Sequence, residues 1–95
     1  LQKDQATLEI ENKVKDYFNQ LLTFREQVKI YESAYMNYER LLRAEEVKLS
    51  IGESSLFLVN SRENKVLETR QKLLELKAKF FKSLVAVQWA AGILR

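Results

Sequence analysis

The residue types that usually do chemistry are scarce in this chain. Its 95 residues include no Cys and no His. That removes thiol nucleophiles, imidazole bases, Ser-His-Asp triads, disulfides, zinc sites of the usual Cys/His type and the Glu-x-x-His di-iron motif. Close carboxylate pairs remain, Glu9 with Glu11 and Glu45 with Glu46, together with Tyr17, Tyr31, Tyr35 and Tyr38. Carboxylates do general acid/base work only when they converge in a concave pocket with separated pKa values. A tyrosine row could stack bases or sugars. It is also what a helical seam produces when phenol hydroxyls reach solvent at its edge. No enzymatic activity, metal or cofactor is expected.

Charge points the same way. Sixteen Lys and Arg against thirteen Asp and Glu leave a net charge of +3, which is ordinary for a soluble surface. Lys65, Arg70, Lys72, Lys77, Lys79 and Lys82 are interleaved with Glu63, Glu68 and Glu75. That pattern fits a solvated helix face better than a phosphate track, so no nucleic-acid partner is expected.

The elements that would position these residues are helices. Two Gly and no Pro are too few for the turns of a β-protein. From Ile10 the apolar residues recur at spacings of four and three: Val14, Tyr17, Leu21, Phe24, Val28, Tyr31, Tyr35, Tyr38 and Leu42. The row meets a charge at Glu45 and resumes at Leu49. A strict seven-residue repeat is the signature of a coiled coil. The spacing predicts one helix over about 3–49, a tip at 50–54 and a second helix over about 55–91. In the tip, Gly52 can take a left-handed conformation and Ser54 or Ser55 can cap the next helix. Gly92 reads as the stop of the second helix.

The expected fold is therefore all-α, a long antiparallel helical hairpin of roughly 70 Å at 1.5 Å per residue. In the second helix Val59, Val66-Leu67, Leu73-Leu74, Phe80-Phe81 and Leu84-Val85-Val87 supply the stripe. A reversal near Gly52-Glu53 faces residues whose numbers sum to about 105. It pairs Leu49 with Leu56, Tyr38 with Leu67, Tyr31 with Leu74, Phe24 with Phe81 and Leu21 with Leu84. Glu63, Arg70 and Lys77 fall one heptad apart at the edge of this seam, where they could meet a lumen or a neighbouring helix. Phe18, Leu22, Ile30, Ala34, Leu41, Phe57, Leu58, Leu76 and Trp89 fall off it, and such uncovered apolar area argues for further helices alongside. The chain is expected to self-associate, most simply as a dimer forming a four-helix bundle, or to be a piece of a larger helical assembly. It opens at Leu1 without Met or a signal-peptide pattern, and the expectation is a single hairpin excised from a longer protein.

At the tip the residues resemble a known family. Gly52-Glu53-Ser54-Ser55-Leu56-Phe57-Leu58-Val59-Asn60, with a returning helix that ends Trp89-Ala90-Ala91-Gly92-Ile93-Leu94, is similar to the hairpin of the second repeat in the TolC family of bacterial outer-membrane efflux and secretion channels. That family carries Gly-x-x-Ser-Leu-Leu-Asp-Val-Leu at its tip. The segment Leu8-Glu9-Ile10-Glu11-Asn12-Lys13-Val14-Lys15-Asp16-Tyr17-Phe18 resembles the place where the family's chain enters its helical barrel. The resemblance implies a homotrimeric parent in the outer membrane, with this segment in the periplasmic tunnel. It also implies a tip that docks a membrane-fusion adaptor and, through it, an inner-membrane pump. By position the docking contacts would be Ser50, Ile51, Gly52, Glu53, Ser54 and Ser55. Leu58 and Ser61 stand where many members carry acids, so a carboxylate ring at the tunnel entrance does not carry over. Arg62 stands where a small residue is commoner and would alter the entrance charge. The alternative expectation is a coiled-coil scaffold or oligomerisation module with no transport role.

Overall fold

The computed structural model describes residues 5–93. They form two helices, α1 over Gln5–Ser50 and α2 over Leu56–Ile93, joined by a short turn. The helices run antiparallel as one hairpin measuring 77 × 16 × 15 Å, with a radius of gyration of 21.3 Å. A compact chain of this length would have a radius near 12 Å. The expected start of the first helix near residue 3 lies outside the described residues. The turn occupies residues 51–55, and α2 continues through Gly92.

A rod this thin can bury only the stripe where its helices touch. On α1 that stripe is the expected row: Ile10, Val14, Tyr17, Leu21, Phe24, Val28, Tyr31, Tyr35, Tyr38, Leu42 and Leu49 are half-buried, and Glu45 is buried among them. On α2 the covered row is Val59, Arg62, Val66, Thr69, Leu73, Leu76, Phe80, Ser83, Val87 and Ala90, again at spacings of three and four. Strict alternation in both helices is what holds two seams in contact along their whole length.

The α2 seam corrects the expected one. Leu56, Leu67, Leu74 and Phe81 lie on the surface, exposed by 52% or more, whereas Leu76, expected off the seam, is the most buried apolar residue at 3%. The buried rows interlock when residues whose numbers sum to about 104 face each other, one fewer than expected. One residue is only about 1.5 Å along a helix but about 100° around it. The level was thus right to within a turn, but the face was wrong. Leu49, Tyr38, Tyr31, Phe24 and Leu21 come opposite Ser55, Val66, Leu73, Phe80 and Ser83. Leu84 is half-buried at the margin of the seam.

At three levels this register sets a larger residue of α1 against a small one of α2. Tyr35 comes opposite Thr69, Leu21 opposite Ser83 and Val14 opposite Ala90. The buried hydroxyls are satisfied within their own helix: Thr69 Oγ1 donates to the Lys65 carbonyl at 2.7 Å and Ser83 Oγ to the Lys79 carbonyl at 2.9 Å. Among the described residues, no buried side-chain N or O lacks a partner. Ion pairs decorate the edges, with Lys77 4.0 Å from Glu32 across the helices and Lys65 5.6 Å above the Tyr38 ring. Exposed pairs of this kind contribute at most about 1 kcal/mol each.

The two glycines differ in role. Gly52 has φ of 78°, a conformation open to Gly and unfavourable for residues with a Cβ. Gly92 was expected to be a helix stop in the same conformation, but it sits inside α2 and Gly52 is the only described glycine with positive φ. α2 instead runs past Gly92 to Ile93.

Four mutational outcomes follow from this packing and backbone, all read from chemical denaturation of dilute protein. Leu76→Ala should destabilise by about 2–5 kcal/mol through the cavity it leaves. Leu67→Ala should stay within about 0.5 kcal/mol; the reverse ranking would refute the rotated seam. Gly52→Ala should destabilise by about 1–2 kcal/mol from backbone strain alone, since nothing lies within 4 Å of the added Cβ. Gly92→Ala should be neutral or stabilise by up to about 1 kcal/mol through helix propensity.

Candidate functional site

The tip is the one place where the repeat gives way to specific polar geometry. α1 ends in a Schellman closure: the Gly52 amide donates to the Leu49 carbonyl at 3.1 Å and the Glu53 amide to the Lys48 carbonyl at 2.7 Å. The left-handed Gly52 makes both bonds possible. Ser50 Oγ donates to the Val47 carbonyl at 2.6 Å. α2 begins with Ser55 as its cap, whose Oγ accepts from the Leu58 amide at 3.2 Å, while its carbonyl accepts from Val59 at 3.1 Å. A serine in this role satisfies one of the amides that a helix start leaves free.

Beneath the turn lies a buried carboxylate. Glu45 stands on the α1 seam with its side chain 7% exposed. Its Oε2 accepts from Ser54 Oγ at 2.7 Å and its Oε1 from Arg62 Nε at 3.3 Å. Both carboxylate oxygens are therefore engaged, one by the turn and one by the first turns of α2. The Ser54 hydrogen bond holds the Glu45 carboxyl below its ordinary pKa of 4.5. Burial opposes that shift, and the Arg62 hydrogen bond and the charges of Lys48 and Arg62 reinforce it. An ionised acid on a seam is tolerated only when paired and hydrogen-bonded in this way.

The expected tip residues thus divide by role. Gly52, Ser54, Ser55 and Ser50 are engaged in building the turn, whereas Ile51 and Glu53 are exposed at its apex. Immediately below, Leu56 and Phe57 are 68% and 79% exposed. The sequence expectation missed the part played by Glu45 and Arg62. Arg62, expected to change the charge of an entrance, is partly covered and committed to Glu45. The clue was available, because Glu45 falls on a seam position seventeen residues before an arginine that falls on the other seam. Glu63, Arg70 and Lys77 are exposed along one flank of the seam, and Lys77 meets Glu32 of α1.

Elsewhere the surface offers open grooves along the seam. One of them, about 270 Å³, is lined by Tyr17, Gln20, Phe24, Lys79, Lys82, Ser83 and Ala86 and has no carboxylate in its lining. The carboxylate pairs do not converge: Glu45 is buried in the seam while Glu46 faces solvent. Tyr17, Tyr31, Tyr35 and Tyr38 are half-buried in the seam. Among the described residues, no cluster of three or more acids is placed to hold a metal ion. No described helix is long and apolar enough to cross a membrane. Comparison with known proteins finds no matching family model, curated protein or solved structure.

The Glu45 arrangement makes stability at the tip depend on pH with a definite sign. A carboxyl with a lowered folded pKa contributes stability that is complete above its ordinary value and is lost as pH falls through the folded one. Glu45→Gln should therefore be less stable than wild type near neutral pH. The gap should narrow as pH drops from about 5 to about 3, the range in which carboxylates take up protons. Thermal melts across that range test this, and parallel pH profiles for the two proteins would contradict it.

Proposed function

We propose that this hairpin is a wall segment of the periplasmic tunnel of an outer-membrane efflux or secretion channel of the TolC type, and that its tip docks a membrane-fusion adaptor. The observation that carries the reading is the tip itself. A 77 Å rod ends in a turn closed by backbone hydrogen bonds and by a buried carboxylate with both oxygens engaged. It therefore presents Ile51, Glu53, Leu56 and Phe57 outward on a rigid support. Pre-organisation of that kind lowers the ordering penalty of binding. The resemblance of Gly52 to Asn60 to the family's tip supplies the rest: a homotrimeric parent, an adaptor, and beyond it an inner-membrane pump. The segment makes and breaks no bond in this reading.

The alternative is a coiled-coil scaffold with no transport role. It accounts equally well for the seam and the length, and gives the exposed apex no task. The apex is therefore where the two readings separate.

The cleanest probes are Ile51 and Glu53, because Gly52→Trp or Ser54→Trp would also dismantle the turn. In the full-length parent, Ile51→Asp and Glu53→Arg should leave trimer assembly intact on native gels. They should weaken adaptor binding by roughly 30-fold if either is a hot spot worth about 2 kcal/mol. Export should fall in parallel. Normal export and adaptor capture by both variants would overturn the docking role and favour the scaffold.

A further inference from the structure

The hydrogen bonds of the tip fall into two sets that do not meet. In the closure of α1, the Gly52 and Glu53 amides and the Ser50 hydroxyl donate to the carbonyls of Leu49, Lys48 and Val47. At the start of α2, the Leu58 and Val59 amides donate to Ser55. No bond of the first set reaches α2, and none of the second reaches α1. Ser54 lies between them, half-buried where Ile51, Gly52, Glu53 and Ser55 are exposed. Each residue in such a gap keeps two soft dihedrals, so the two closures alone leave the direction of the apex open.

One side chain crosses the gap. Glu45, 7% exposed, accepts from Ser54 Oγ at 2.7 Å and from Arg62 Nε at 3.3 Å. Holding the helices together does not call for a charge here. In the observed register Glu45 comes opposite Val59 and Arg62 opposite Leu42, pairs whose numbers again sum to about 104, so apolar residues at both positions would continue both rows. Exchanging a buried ion pair for apolar residues is commonly neutral or stabilising, whereas removing one partner alone is costly. An apolar side chain cannot supply what the carboxylate does, a directional bond that fixes where Ser54 sits.

We infer that Glu45 is a positioning residue for the tip: tied to Arg62 and Ser54, it sets the angle at which Ile51 and Glu53 are presented, a task separate from holding the two helices together. The Arg62 bond steadies the carboxylate from α2. The Ser54 bond passes that constraint to the peptide that joins Glu53 to Ser54. The turn is thereby aimed before any partner arrives, which removes an ordering cost from binding. That benefit rests on the docking reading; the positioning itself does not.

Amide exchange followed by NMR, together with thermal melts of the chain, tests it. The Glu53 amide, bonded to the Lys48 carbonyl, reports on the turn, and the amides of Leu73 and Leu76, both buried in the seam, report on the rod. Ser54→Ala cuts the arm to the turn and leaves the Glu45–Arg62 pair in place. Glu45→Leu combined with Arg62→Leu replaces the pair outright. Both should speed exchange at Glu53 by at least about fivefold, the factor that one net hydrogen bond gives. Ser54→Thr, which keeps the hydroxyl, should stay within about twofold of wild type. Exchange at Leu73 and Leu76 should be unchanged or slower, and the double variant should melt no lower than wild type. Unchanged exchange at Glu53 in Ser54→Ala and in the double variant would overturn the proposal. So would a double variant that melts well below wild type with exchange accelerated at all three amides, because Glu45 would then serve cohesion alone. No adaptor enters these measurements, so their failure is distinguishable from failure of the docking reading, which Ile51→Asp and Glu53→Arg decide.

Discussion

A two-helix rod has no interior except the line where its helices touch, and that line must be continuous if the helices are to stay together. In this hairpin continuity comes from two unbroken rows: Phe24, Tyr31 and Tyr38 of α1 face Phe80, Leu73 and Val66 of α2, and Tyr35, Leu21 and Val14 face the smaller Thr69, Ser83 and Ala90. Two of those small residues carry hydroxyls that bond back to their own helix, so the polarity of the seam leaves no unpaired group.

The tip depends on the same seam. The two rows approach the turn at the level of Glu45 and Val59, where an apolar pair would close the seam but leave the turn untethered. A carboxylate there reaches upward to Ser54 and across to Arg62, joining α1, the turn and α2 through one side chain. The Schellman closure at Gly52 and the cap at Ser55 pair backbone groups on either side of the turn. The carboxylate adds the side-chain tie that fixes the turn relative to both helices.

Much of this was legible from residue types and spacing. The α1 row was visible because nearly all its members are large and apolar, and the turn because Gly52 and the serines are the only interior punctuation. The α2 row was obscured. Its covered positions include Thr69, Ser83 and Arg62, while Leu67, Leu74 and Phe81 one residue after a covered position look like better core candidates. Hydrophobicity alone ranks those three higher, but the face of α2 that meets α1 lies one residue round the helix from them. The same bias hid Glu45. A charge on an apolar row reads as an interruption until its partners, nine and seventeen residues later, are brought beside it by the turn.

The register also orders events in time. Contacts near the tip, such as Glu45 with Arg62, close a loop of fewer than twenty residues, while the level of Val14 and Ala90 closes one of about seventy-five. Loop-closure entropy separates the two by about 1–1.5 kcal/mol before any packing is gained. A zipper of this kind nucleates at the turn and propagates outward, each added level shortening the gap to the next. The levels farthest from the tip, such as that of Val14 and Ala90, are then the last to join, and the apex is ordered first.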